Sequence, residues 1–129
     1  MKFKLGFRAR RWLRLLWALA ILVVIVGSLL PASSAPMKAL GRFAINDKFE
    51  HFAAYLVLAF LPALHERRPA LAATLLGAIA MGVALEFLQR LSPGRTFEVA
   101  DMAADAIGVL SGLFLALPLR SWATPLHCK

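Results

Sequence analysis

The 129-residue chain has a single cysteine, Cys128, a single tyrosine, Tyr55, and only seven acidic residues. One cysteine gives no internal disulfide and no CxxC metal or redox pair. It reads as a bystander, with S-palmitoylation as the functional alternative. Strand signals are missing too. The apolar runs lack period-two alternation, and the chain is far too short for a membrane barrel. There is no GxSxG elbow, no HExxH and no internal inverted repeat. Those absences remove the common hydrolase elbow, the zincin-type metal site and an obvious repeat-built translocation path.

What the chain has in excess is apolar surface. Its hydrophobic fraction is 60% and its mean hydropathy is +0.72, where soluble domains run at about 45 to 50% apolar with glycine counted. A chain this short has room for one domain. Small folds leave much of their surface in the solvent, so a soluble core has no place for that much apolar side chain. Lipid is the expected solvent, and the expected fold is an all-α bundle of four transmembrane helices, one domain over 1–129.

The spans fall at about 12–30, 49–65, 69–90 and 101–119. Apart from the first, the uninterrupted apolar runs (Phe52 to Leu64, Ala70 to Leu85, Ala106 to Leu119) are shorter than the ~20 residues that cross ~30 Å of hydrocarbon. Polar turns supply the missing length: Asp47 to His51, Glu86 to Arg90, and Asp101 to Asp105. The first run follows Lys2, Lys4, Arg8, Arg10, Arg11 and Arg14, and with Ser33, Ser34 and Ala35 it also fits a cleaved signal peptide. Its apolar stretch exceeds the roughly 7 to 15 residues of a signal core, which favours a retained helix. Pro69 suits a first helical turn. Pro62 and Pro118 fall inside helices, where a membrane bundle tolerates them if neighbours satisfy the freed carbonyls.

The N-terminal segment, the loop His65 to Arg68 and the C-terminal tail hold ten of the 15 Lys and Arg and only Glu66 among the acids. Basic flanks stay inside. Both termini are therefore expected in the cytoplasm of a bacterium, with the chain a multi-pass protein of its cytoplasmic membrane. The +8 net charge then describes attraction to an anionic leaflet and not to nucleic acid, which would need an extended basic and aromatic surface. Trp12 and Trp17 read as interfacial belt residues, and His65 and His127 as solvated.

This orientation gathers the remaining charge at the outer end. Residues three or four apart share a helix face. Asp47, Lys48, His51 and Tyr55 form one stripe, Gly82, Glu86, Gln89 and Arg90 a second, and Asp101, Asp105, Gly108 and Gly112 a third, with Arg95 and Glu98 in the loop between. Ionisable groups at membrane depth are costly, so these should face inward and pair. Glu86 and Asp105 lie deepest, with Arg95, His51 and Lys48 as expected partners. Gly108 and Gly112, with Ala78 and Gly82, let the last two spans approach closely. Packing inside the bundle is the first reading of that stripe, and a homo-oligomer face the second.

The order Asp47, Lys48, His51, Tyr55, then Glu86, Gln89, Pro93, Arg95, then Asp101, Gly108 and Gly112 resembles the VanZ-like family of small membrane proteins. The resemblance covers about half the chain, from Asp47 to Gly112. It implies an association with lowered susceptibility to glycopeptide antibiotics of the teicoplanin type, without an agreed biochemical activity. This chain has Asp105 where the family usually has Asn, and Glu98 where Asp is common. The first change adds a potential charge to the pocket.

Three functions follow for the cluster Asp47, Lys48, His51, Tyr55, Glu86, Gln89, Arg95, Asp101 and Asp105. The leading one is a pocket for an anionic envelope molecule, a lipid-linked cell-wall precursor or a phospholipid head group. Lys48, His51 and Arg95 would hold phosphate or carboxylate, with arginine suited to bidentate contacts. Glu86, Gln89 and Asp101 would orient sugar or amide groups. The second is catalysis on such a lipid, with His51 and Glu86 or Asp101 as base and acid and Arg95 stabilising an anion. Against it, neither Ser92 nor Ser111 is placed as a nucleophile. The third is a purely structural ion network that fixes helix register. Asp47, His51, Glu86 and Asp101 are conceivable ligands for a hard cation, but no repeated ligand spacing supports them, so no metal and no cofactor is assigned.

Overall fold

The computed structural model describes residues 5–43 and 46–123; Lys2, Lys4, His127 and Cys128 lie outside them. Five helices follow in order: α1 (Phe7–Leu29), α2 (Ala35–Gly41), α3 (Asp47–His65), α4 (Arg68–Gln89) and α5 (Val99–Ala123). No strand occurs among the described residues.

Three of the helices, α1, α4 and α5, are long and apolar enough to cross a membrane. The fourth expected span, α3, falls short by composition because its first turns carry Asp47, Lys48, Glu50 and His51. Its position explains the difference. It is packed against α1, α4 and α5 together, and Tyr55, Leu58, Ala59, Pro62, Ala63 and His65 are buried along it. Of its polar residues Glu50 and His51 are partly sheltered, while Asp47 and Lys48 are exposed. The outer helices carry the apolar exposure instead: α1 buries no residue fully and exposes Trp12, Leu15, Leu19, Leu22, Val23 and Val26. An apolar patch of that extent is abnormal in water and ordinary in lipid.

The closest packing joins α3 and α5. A Cβ added at Gly108 would collide with the carbonyl oxygen of Phe52, and one at Gly112 with that of Leu56. The glycine stripe therefore faces α3 and not, as the spacing suggests, α4. Both glycines are used up inside the chain, so a homo-oligomer would need another face. Small residues at such a contact let the backbones approach without lipid between them.

Pro62 lies inside α3. Having no N–H, it leaves the carbonyl of Leu58 one turn earlier without its helical donor. The indole Nε1 of Trp17 on α1 donates to that oxygen at 3.0 Å. Trp17 is therefore not a belt residue: it repairs the proline defect and joins α1 to α3. His65 differs from expectation in the same way. It is buried, with Nδ1 2.8 Å from the carbonyl of Leu61. Nearby, Arg14 pairs with Glu66 at 2.9 Å, and Arg120 Nη1 donates to the Ala63 carbonyl at 2.8 Å.

Helix α2 is an element that periodicity does not reveal. Ser34 stands at its N-cap with proline in its first turn, a start signal that the signal-peptide reading of Ser33, Ser34 and Ala35 obscures. Proline in the first turn of α4 matches the expectation for Pro69.

Candidate functional site

The first turns of α3 and α5, the last turn of α4 and the loop 90–98 meet at one end of the bundle. Asn46 caps α3, its side chain accepting the Lys48 N–H at 2.9 Å. This sets the phase of the stripe that follows. Lys48 reaches the loop, with Nζ 2.6 Å from Glu98 Oε2 and 3.4 Å from Asp101 Oδ1. One turn deeper, His51 Nδ1 lies 2.8 Å from Asp105 Oδ1, and its Nε2 lies 3.8 Å from Asp101 Oδ2. Another turn on, Tyr55 is buried beside the same carboxylate. Gly82 makes that arrangement possible: a Cβ there would stand 2.8 Å from Asp105 Oδ2 and 3.2 Å from the Tyr55 ring.

Glu86 is 1% exposed. Its Oε1 accepts the backbone N–H of Glu98 at 2.7 Å, so it fastens the loop to the end of α4. The lysine beside Glu98 holds that carboxyl below the usual carboxylate range, chiefly through the hydrogen bond. Arg95 departs from expectation. It does not pair with Glu86 or Asp105; its Nη2 donates to Gly27 O at 3.0 Å and its Nε to Leu30 O at 3.2 Å. Gln89 Nε2 donates to Ser28 O and Ser92 Oγ to Leu29 O, each at 3.1 Å. The four consecutive carbonyls at the end of α1 are thereby all satisfied by residues 89–95. The physical reason is that a helix ends with orphan carbonyls and partial negative charge, which a guanidinium relieves. His51 does pair with Asp105 as expected, whereas Lys48 reaches Glu98 and Asp101 and not Glu86 or Asp105.

The site thus divides into two sets. Gln89, Ser92 and Arg95 cap α1, while the buried Tyr55, Glu86, Asp101 and Asp105 and the partly buried His51 form a second polar set, with Asp47 and Lys48 at its exposed edge. Glu50 and Ser92 belong to the arrangement although their types and spacing did not single them out. The signal for Glu50 was its place one residue before His51; Ser92 had none, since its partner is more than sixty residues away. Arg90 stands apart, stacked over Phe97 at 4.2 Å and Phe87 at 5.3 Å from the ring centres.

Beside these residues is a cavity of about 320 Å³. Its lining combines the apolar Val23, Val24, Leu40 and Ala54 with the polar Asp47, Glu50, His51, Gln89 and Arg95. Arg95 uses Nε and Nη2 in capping, and its Nη1 has no partner among the described residues. Chemically, the site offers an imidazole held by a carboxylate, a cluster of further carboxylates, and one guanidinium edge. Neither serine weighed as a nucleophile stands ready beside His51: Ser92 is committed to Leu29, and Ser111 lines the apolar groove between α3 and α5.

Comparison with curated proteins and with solved structures gives no match. The family model described as VanZ/LLP1 matches residues 14–120, a stretch that includes all five helices in whole or in large part and every residue of the two polar sets. With most of its length inside that match, this membrane-type helical chain belongs to the VanZ/LLP1 family.

Proposed function

We propose that the chain is a multi-pass protein of the bacterial cytoplasmic membrane with both termini inside, that α3 is its fourth span, and that the polar end faces outward. In this reading the cavity beside His51 binds the polar head of an anionic envelope molecule, a phospholipid or a lipid-linked cell-wall precursor.

The observation that carries the reading is the mixed apolar and polar lining of this cavity. The lining reaches the exposed face of α1, since Val23 both lines the cavity and is 62% exposed. An amphiphile entering from the bilayer would keep its chains against Val23 and Leu40 and present its head to His51 and Arg95. Ligand sites commonly combine an apolar lining with a few converging polar groups. A role in glycopeptide susceptibility would follow if the bound molecule is a cell-wall precursor, as the family resemblance implies.

Val23→Trp would close the mouth without touching any hydrogen bond of the polar sets. Mass spectrometry of lipid co-purifying with the detergent-solubilised chain should find a defined head group on the wild type and its loss in this variant. The same bound lipids in both would reject the pocket. The structural reading is favoured for one subset by its own observation: Gln89 and Arg95 are engaged as helix caps, and their contribution to function passes through the placement of α1.

A further inference from the structure

The polar end of the bundle holds more negative charge than its own cations answer. Asp47, Glu50, Glu86, Glu98, Asp101 and Asp105 converge there. Of the permanent cations, Arg95 is turned to the carbonyls of α1, and Lys48 is shared between Glu98 and Asp101. Direct seating of an anionic head among these carboxylates would be repulsive.

At this end, Asp47, His51 and Asp101 each offer one ligand atom, all within 4.8 Å of one another. Two donors on opposite sides of an ion with bonds of about 2.1 Å stand about 4.2 Å apart. Small side-chain adjustments therefore close the set around one ion. Two further observations point the same way. His51 Nδ1 is taken by Asp105 at 2.8 Å. With His51 neutral and its proton on Nδ1, shared with the Asp105 carboxylate, the Nε2 lone pair faces Asp101. This is how ligating histidines are held, with the far nitrogen donating to a carboxylate. Asp101 is the second. Its side chain is 4% exposed, and its Oδ2 faces Nε2 at 3.8 Å, too long for a hydrogen bond yet suited to two ligands of a shared cation. Lys48 approaches the other oxygen, Oδ1, leaving Oδ2 available.

We propose that Asp47, His51 and Asp101 coordinate a divalent cation at the polar end of the bundle, with Asp105 as the positioning carboxylate behind His51. The donor set of two carboxylates and one imidazole suits a first-row ion such as Mn²⁺ or Zn²⁺ better than Mg²⁺ or Ca²⁺. Three protein ligands leave coordination positions open. Resting on the head-group reading above, those positions take phosphate oxygens, and the ion becomes the bridge between an acidic pocket and an anionic lipid. The sequence pointed weakly to a set that included Glu86. The fold removes Glu86, whose Oε1 accepts the Glu98 N–H, and keeps the other three.

Purified, EDTA-stripped full-length protein in detergent would be titrated with Mn²⁺ and followed by electron paramagnetic resonance. One ion should bind per chain, with a ¹⁴N coupling from a single imidazole. Asp47→Asn, at an exposed position, should weaken binding at least about tenfold, His51→Gln should abolish the nitrogen coupling, and Asp105→Ala should weaken binding about 10- to 100-fold. Glu66→Gln at the opposite end should change nothing. Absence of bound Mn²⁺ and Zn²⁺ on the wild type, or equal uptake by wild type and Asp47→Asn, would overturn the site. Because this titration contains no lipid, it fails or succeeds independently of head-group binding. Lipid retention compared before and after EDTA then tests the bridge: loss with the metal supports it, and unchanged retention rejects it.

Discussion

Single residues set the local chemistry of this chain through contacts that lie far away in sequence. The pairing of Pro62 with Trp17 is one case, because the proline creates an orphan carbonyl in a buried helix and the indole answers it. A side-chain hydrogen bond of this kind contributes about 1 kcal/mol. Trp17→Phe should therefore lower stability by about that amount in a denaturation titration. In a Pro62→Ala background, where the helix supplies its own donor, the same substitution should cost measurably less. Gly82 is a second case. Gly82→Ala places a methyl 2.8 Å from Asp105 Oδ2, and should displace the carboxylate from His51; the ¹⁵N shifts of the imidazole would report the lost partner. Asp105→Asn should behave differently, since an amide oxygen can accept the same His51 N–H.

At the scale of elements, the loop 90–98 acts as the clasp between α1, α4 and α5. Arg95 supplies two of its bonds to α1, and charged donors contribute more than neutral ones. Arg95→Ala should cost on the order of 2 kcal/mol and raise amide exchange in the last turn of α1 while leaving α5 protected. The clasp is also sensitive to acid. The folded-state pKa of Glu98 is lowered below its ordinary value of 4.5 by Lys48, so its contribution is present above that value. It is lost as the pH falls through the lower folded value. Loosening of the loop, followed by proteolysis between Arg90 and Val99, should thus begin below about pH 4.5 in the wild type, whereas Glu98→Gln, which lacks the charged partner of Lys48, should be loosened to the same extent at every pH. Residue spacing made the stripes 48, 51, 55 and 101, 105 legible, because a helix brings such positions to one face. It hid the target of Arg95, since backbone carbonyls carry no residue signature. Helix α2 was hidden for a related reason: seven residues contain too few turns for a period to show.

For the whole molecule, composition announced a lipid-facing helical chain, and the apolar exposure of α1, α4 and α5 agrees. Composition left open which helix lies at the centre. The one long helix that falls short of a span by composition, α3, is the one packed against α1, α4 and α5 together, and a helix covered by protein needs less apolar surface than one facing lipid. The α3 and α5 contact should be the least tolerant region of the fold. Gly108→Leu and Gly112→Leu place side chains on the Phe52 and Leu56 carbonyls and should abolish the folded form in detergent chromatography, whereas Leu110→Ala, on the exposed face of α5, should not.

The account stands on the polar end being a binding site and not merely an ion network that holds the helices together. Asp47→Asn, Glu50→Gln and His51→Gln should be measured together for thermal stability and for lipid retained after purification. The account predicts unfolding temperatures close to that of the wild type, with the defined head group lost. Markedly lowered unfolding temperatures with the bound lipid unchanged would contradict it, and would return these residues to a structural role.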